Sequence, residues 1–389
     1  MFKKLITIIC FFSVVLIIVL FAINGSFLSK KYLDPWRPDY HKQFDDIRIQ
    51  VIAHGLLAPN AHNMQAWKIL LDKNEPHKFS LYINEKRLLP ETDPFSRQTI
   101  ISQGTFLELI NISAMKLGFD ANIEYFPLGL IDSAGTKNSI LSKPVARVAL
   151  IKNNQLSTNR LYEAIFNRTT NRTPYLDKPL SVKQIKKLEA LNNNERLSIL
   201  VFQNEAELKK IKELAVKGVI VESQLQGPMN ETHVVFRYNE YAKNKYRYGL
   251  TLSSLGWPAL KEFFIQILST IFPIDIEQEG KIWRNDAKKR LYKTPTYMMI
   301  VSSDNSRPTQ INTGRLFAKV QLNAAQMGLF VQPIMQVTQE YEQMSSLYEK
   351  VHQSFAEKGK TIQMLFRIGH SKKNPKHSPR LNAMDLIKN

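Results

Sequence analysis

Cysteine is nearly absent: the 389 residues carry one, Cys10. That excludes a disulfide framework and any zinc or iron–sulfur site built on thiolates. Cys10 is also a poor lipid acceptor, because the bulky Ile9 precedes it where a small residue is wanted. The eight histidines are scattered, His54 and His62 lie too far apart for one helical face, and no His-Glu-x-x-His occurs. No metal site is expected from such spacing. Glycine is scarce too, with 15 residues and no Gly-x-Gly-x-x-Gly, the fingerprint of a stably held dinucleotide. Acidic residues are outnumbered, 34 against 53 basic ones, for a net charge of +19. The basic residues are spread along the chain without a zinc finger or a basic–aromatic RNA signature. The charge therefore reads as a basic surface beside an anionic bilayer, and no nucleic-acid partner is expected.

What is present is a large apolar share, 44%, enough for a sizeable core. Leu5 to Ile23 contains only Thr7 and Ser13 as polar residues and no charge, which just reaches the length of a hydrocarbon core. Its cleavage site, after Gly25, is poor, so an uncleaved single-pass anchor is expected over residues 1–23. Lys3 and Lys4 favour an inside N-terminus and a domain outside the cytoplasm, although Lys30 and Lys31 flank the other end. Residues 24–43 read as a linker.

Beyond the linker, helices are expected at Phe44–Leu57, Thr99–Leu117, Val182–Leu191, Glu205–Leu225, Glu231–Lys243, Thr309–Met327 and Glu340–Phe355. Strands are expected from Trp67 and at Phe79–Ile83, Asn122–Phe126, Val145–Ile151, Leu197–Phe202, Thr296–Ser302 and Ile362–Ile368. Pro258–Phe272 is apolar but holds Lys261 and Glu262, so it reads as a covering helix or flap, not a second span. Helices and strands that alternate through two successive halves point to one layered α+β unit.

Four segments could carry chemistry. Leu57 to Trp67 reads as a helix stopping at Pro59, a tight turn, and the start of a strand. Such a turn offers backbone N–H groups and the amides of Asn63 and Gln65 to a planar, hydrogen-bonding ligand. Asn167 to Tyr175 places Arg168 and Arg172 around Thr169 and Thr170, a set that can hold a phosphate by charge-assisted hydrogen bonds. Gly328 to Gln336 follows an amphipathic helix, and Lys376 to Arg380 is a basic tail after the last strand. Each alone is equally readable as a helix stop or a solvated basic turn.

Together these segments resemble the nitroreductase superfamily. The turn is similar to its Ala-Pro-Ser-x-x-Asn-x-Gln-Pro-Trp segment, with Asn60 where Ser is common and Ala66 where Pro is common. Arg168, Thr169, Thr170 and Arg172 match its Arg-Arg-Ser-x-Arg phosphate grip, Gly328–Gln336 its Gly-Leu-x-x-x-Pro loop, and Arg380 its C-terminal basic residue. Arg87 to Gln98, with Gly104 and Glu108, looks like the Acg-like branch, in which two such halves are fused. The resemblance runs over about residues 44 to 382.

It implies a nitroreductase-like layered fold with halves at 44–155 and 156–389, packed as a pseudo-dimer and monomeric overall. It also implies one non-covalent FMN, with NAD(P)H as a transient reductant and a small aromatic or quinone-like acceptor. Arg168, Arg172 and Arg380 would hold the phosphate, with Thr169 and Thr170. Pro59, Asn60, Asn63 and Gln65 would contact the ring or ribityl chain, and Gln332, Pro333 and Gln336 would line the ring edge. No side chain is obliged to act as catalyst, since the chemistry belongs to the flavin. Two other functions fit the same residues: a flavin store with little turnover, and a tethered basic module without cofactor.

Overall fold

Period-two apolar runs and capped apolar helices assemble into two four-stranded sheets with two long helices between them. The computed structural model describes residues 2–153 and 160–388. The first part of the chain forms α1 (Phe2–Asn24), α2 (Ile47–Gly55), β1 (Trp67–Leu71), β2 (Lys78–Ile83), α3 (Arg97–Lys116), β3 (Phe119–Tyr125), α4 (Lys137–Ser142), β4 (Ala146–Lys152) and α5 (Leu161–Asn167). Then follow α6 (Val182–Glu189), β5 (Leu197–Phe202), α7 (Glu205–Glu222), α8 (Gln226–Val234), β6 (Phe236–Arg237), α9 (Glu240–Tyr246) and β7 (Leu250–Thr251). The remainder is α10 (Ala259–Ile271), α11 (Ile276–Tyr292), β8 (Tyr297–Ser302), α12 (Arg307–Gln326), β9 (Phe330–Pro333), α13 (Ser345–Phe355) and β10 (Thr361–Gly369).

Both large sheets are antiparallel throughout, in the orders β1-β2-β4-β3 and β5-β8-β10-β9. The permutation is the same in each, and the long helix sits between the second and third strands of each set. Those helices, α3 and α12, pack on each other at the centre. Gly104 and Gly314 make the approach possible: an added Cβ would stand 2.1 Å from the Ile311 carbonyl oxygen at one and 1.9 Å from that of Ile101 at the other. The contact is reciprocal, as at a twofold interface. The helices open on one pattern, Arg-x-Thr-x-Ile-x-x-Gly, at residues 97–104 and 307–314. Each first arginine reaches across: Arg97 donates to Gln363 O and Thr338 O, and Arg307 to Phe95 O and Asp132 O.

Local signals explain most element ends. Asp46 caps α2, accepting from Arg48 N, which starts that helix later than Phe44. The buried Asp93 accepts from Gln98 N and Thr99 N at the head of α3, giving the Arg87–Gln98 run a structural task. Gly118 and Gly328 take left-handed φ values of 83° and 68° just past α3 and α12, as a helix stop requires. One expectation is corrected. Glu231–Lys243 is not one helix, because the chain turns out into β6 and restarts at Asn239, whose side chain accepts from Ala242 N. A second correction concerns Phe330–Pro333, which is a strand paired with β10 and not a loop.

Residues 24–43 are packed, with Tyr32, Trp36 and Tyr40 buried. The expected boundary between residues 155 and 156 lies outside the described residues. Residues 203–296 separate β5 from β8, where only Asp72–His77 separates β1 from β2. This long insertion, α7 to α11, builds the wall over the site. Pro258–Phe272 is the covering helix expected there, as α10.

Candidate functional site

Three chain segments far apart in sequence meet beside the α3–α12 crossing. The turn after α2 is strongly bent: His62, Asn63 and Gln65 all have φ between 45° and 55°. Non-glycine residues are uncommon there, so surrounding contacts must hold them. They do. Asn60 Oδ1 accepts from Gln65 N, Ser102 Oγ accepts from Ala61 N, and Asn60 O accepts from Asn63 N. Those N–H groups are therefore not free for a ligand, which corrects the sequence expectation. Arg87 donates to Met64 O and braces the turn from outside.

Gln65 and Asn63 are likewise occupied. Gln65 is fully buried; it donates to Arg247 O and accepts from Leu381 N. Asn63 donates to Gly249 O and Pro379 O and accepts from Arg380 Nη1. Asn63 touches the cavity wall and Gln65 does not. Their amides tie residues 247–249 and 379–381 to the turn. They position the site, and Gln65 is removed from the set of contacting groups.

Pro59 and Asn60 line a small cationic cavity with Trp36, Arg168, Thr169, Thr170, Arg172, Lys376 and Arg380. Arg367 on β10 fixes the arginine turn by donating to Asn171 O and Thr173 O. Thr170 bridges Val331 on β9. Arg380 reaches back to Leu57 O and Ala58 O, in the turn just past the end of α2. Trp36 lies 5.3 Å from the Arg168 guanidinium carbon and 4.9 Å from that of Arg380, and stacks on His377 at 4.0 Å. Sequence reading missed Trp36, treating its segment as linker; an aromatic pair, Tyr32 and Trp36, was the available signal.

The electrostatics are one-sided. Among the described residues, Arg168, Arg172 and Arg380 form no ion pair with any carboxylate. Arg168 has one neutral partner, Gln321, and no hydrogen bond is described for the Arg172 guanidinium. The Nε atoms of Arg168 and Arg380 are buried without a partner. Burial lowers the Arg168 guanidinium to about 9 and that of Arg172 to about 10. Burial, with Arg168 and Arg380 beside it, holds His377 at about 4. Buried cations that face each other without a counter-charge are costly unless an anion joins them.

The cationic cavity continues into a larger, mostly apolar chamber of about 550 Å³, sharing Pro59, Asn60, Thr170 and Arg172 with it. Its floor comes from both sheet units: Ile101 and Ser102 of α3, Phe317 of α12, and Gln332, Pro333 and Gln336 around β9. The Gln332 side chain is already engaged, accepting from Arg367 Nε at 2.6 Å. The roof comes from the insertion, including Glu222, Met229, Trp257 and Trp283. A planar body with a dianionic tail suits this pair of spaces, and among the described residues no group of three His, Cys, Asp or Glu side chains is placed to hold a metal ion.

Glu222 is a fully buried acid in the chamber wall. One of its oxygens has no hydrogen-bond partner, and burial pushes its carboxyl from 4.5 up to about 7, against the opposing pull of Gln339 and Gln336. The folded chain thus keeps a proton that the unfolded chain has released, so stability falls as pH rises from 4.5 to about 7. Glu222→Gln is expected to be more stable than the parent by about 3 kcal/mol near pH 8 and about equal near pH 4. Unfolding midpoints measured at both pH values check this; a difference independent of pH contradicts it.

No family model matches the chain. Over 70 residues it is 31% identical to the Mycobacterium tuberculosis protein "Putative NAD(P)H nitroreductase acg", covering 18% of this chain and 20% of that one. Over 124 residues it is 30% identical to an uncharacterized M. tuberculosis protein, covering 32% of this chain and 33% of that one. The chain thus spans a third or less of the length of these curated relatives. Among solved structures it is similar to a nitroreductase with bound FMN from Desulfitobacterium hafniense, at 13% identity, 60% and 99% coverage and a TM-score of 0.33. It is also similar to an FMN-dependent nitroreductase from Mycobacterium smegmatis in complex with NADPH, at 14% identity, 56% and 90% coverage and a TM-score of 0.33. The sequence match agrees with the nitroreductase-superfamily resemblance that the motifs carry.

Proposed function

We propose that this chain is a membrane-anchored flavoprotein of the nitroreductase superfamily, with one non-covalent FMN held by a single polypeptide. The observation that carries the reading is the small cavity where Arg168, Arg172 and Arg380 meet with no carboxylate partner among the described residues, and which continues past Arg172 into the apolar chamber. FMN, when bound, supplies hydride transfer from NAD(P)H to a small aromatic or quinone-like acceptor. Arg168, Arg172 and Arg380 hold its phosphate, and Thr169 and Thr170 add hydroxyl partners. Pro59, Asn60, Pro333 and Gln336 bound the space for its ring, while Asn63 and Gln65 hold the surrounding segments in place. The chain carries no Gly-x-Gly-x-x-Gly fingerprint of a resident dinucleotide, so the nicotinamide is a visiting substrate.

The same permutation of strands in both sheets and the reciprocal glycine contact support a fused pair of equivalent halves. No homodimer is then needed to complete the site. α1 is long and apolar enough to cross a membrane, and its most apolar stretch is not covered by the domain. We assign it as a retained anchor, with the domain outside the cytoplasm. The covering α10 favours a second reading, a flavin store with little turnover. Anaerobic addition of NADPH and of NADH to the purified chain separates them. Bleaching of the flavin absorption is the expected result, and a spectrum that stays oxidised with both selects storage.

A further inference from the structure

The insertion places an unpartnered apolar stripe beside the chamber and beside the anchor. On α10, Leu260, Phe264, Leu268 and Ile271 recur at helical spacing and are each about half exposed or more, and Phe272 follows at 69%. Its opposite face is polar and tied inward: Gln266 donates to Glu262, which pairs with Lys376 at 3.4 Å. An apolar stripe of this size facing water marks a surface that something covers. The end of α1 identifies what. Phe21 of α1 meets Phe263 of α10 at 5.1 Å, and Tyr241 Oη donates to Ala22 O at 2.8 Å. α10 is thereby fixed where the anchor leaves the bilayer, with the exposed Phe27, Lys30 and Lys31 alongside. Apolar residues with flanking cations suit a helix lying in an anionic lipid interface.

Leu268 and Phe272 belong both to this stripe and to the chamber lining. We propose that α10 is seated in the lipid surface and that the chamber opens to lipid between these residues, so that it takes an apolar molecule dissolved in the bilayer. The inference rests on the membrane-anchor reading and names the substrate class for the chamber.

The test uses the full chain in phosphatidylcholine–phosphatidylglycerol vesicles, with Cys10→Ser as background. An environment-sensitive fluorophore is attached at Phe264→Cys or Leu268→Cys, and at Val182→Cys, an exposed site on α6, as control. Labels at 264 and 268 are expected to be quenched several-fold more by doxyl-labelled lipid than by aqueous iodide, and the label at 182 the reverse. Iodide-type quenching at 264 and 268 overturns the docking. In the same vesicles, a fatty acid bearing a photoreactive chain is expected to label peptides holding Trp257 or Trp283, which line the chamber. Label confined to α1 and the outer face of α10 overturns the lipid-side entry. Intact mass separates the two readings. A chain that has lost α1 but keeps lipid-quenched labels overturns the anchor alone, and an intact chain with iodide-quenched labels overturns the docking alone. Neither readout requires flavin.

Discussion

Arg168→Ala/Arg172→Ala is expected to purify with little or no FMN while keeping the fold. Charge-assisted hydrogen bonds contribute about 1.5–3 kcal/mol each, so losing both groups should weaken FMN binding by roughly a hundredfold to ten-thousandfold. The folded domain should not suffer in proportion. No hydrogen bond is described for the Arg172 guanidinium, and Arg168 has only Gln321 and an indole face. Arg380→Ala differs, because Arg380 also holds Leu57 O, Ala58 O and Asn63 Oδ1. It should lose both FMN and stability. Arg172→Lys should restore binding only in part, as an ammonium cannot reproduce a planar fork. Flavin content by absorption and unfolding midpoints by circular dichroism, taken on the same samples, separate these roles. Unchanged FMN content in the double variant contradicts the assignment.

The second large effect is expected at the helix crossing. Gly104→Ala or Gly314→Ala would put a methyl carbon about 2 Å from a backbone carbonyl oxygen, which no side-chain rotation relieves. Each should cost on the order of 3–5 kcal/mol, above the ordinary range for overpacking because the obstacle is main chain. The double variant should cost less than the sum, since one separation of α3 from α12 relieves both clashes. Denaturant unfolding of the three variants measures this. A loss below about 1 kcal/mol for either single variant contradicts the close reciprocal crossing.

Much of this molecule was legible in its sequence for a simple reason. The alternation of Phe79–Ile83, the continuous apolar run of Tyr297–Ser302 and the glycine stops after α3 and α12 are all local signals. The cationic turn at Arg168–Arg172 was legible as a chemical unit, because its arginines flank hydroxyls within a few residues, and the structure brings it beside Arg380. The fate of the amides was not. Whether Gln65 faces a ligand or Arg247 O depends on a segment 182 positions away. Trp36 was passed over for the same reason, since its aromatic neighbour Tyr32 gave only a faint signal and its partners are Arg168, His377 and Arg380. The polar α11 lacked an apolar stripe, and so its share of the roof went unread, whereas α10 was expected as a cover. The Arg-x-Thr-x-Ile-x-x-Gly pattern shared by 97–104 and 307–314 was present all along, but its meaning appears only when the glycines face each other.

The central claim is that one polypeptide, through its own two sheet units, holds one FMN. It is tested most directly by FMN released per chain from the monomeric fraction of detergent-solubilised protein, with the mass of that fraction measured by light scattering. A ratio near one in the monomer is the predicted result. Flavin confined to a dimeric fraction, or a colourless monomer that does not take up added FMN, contradicts it.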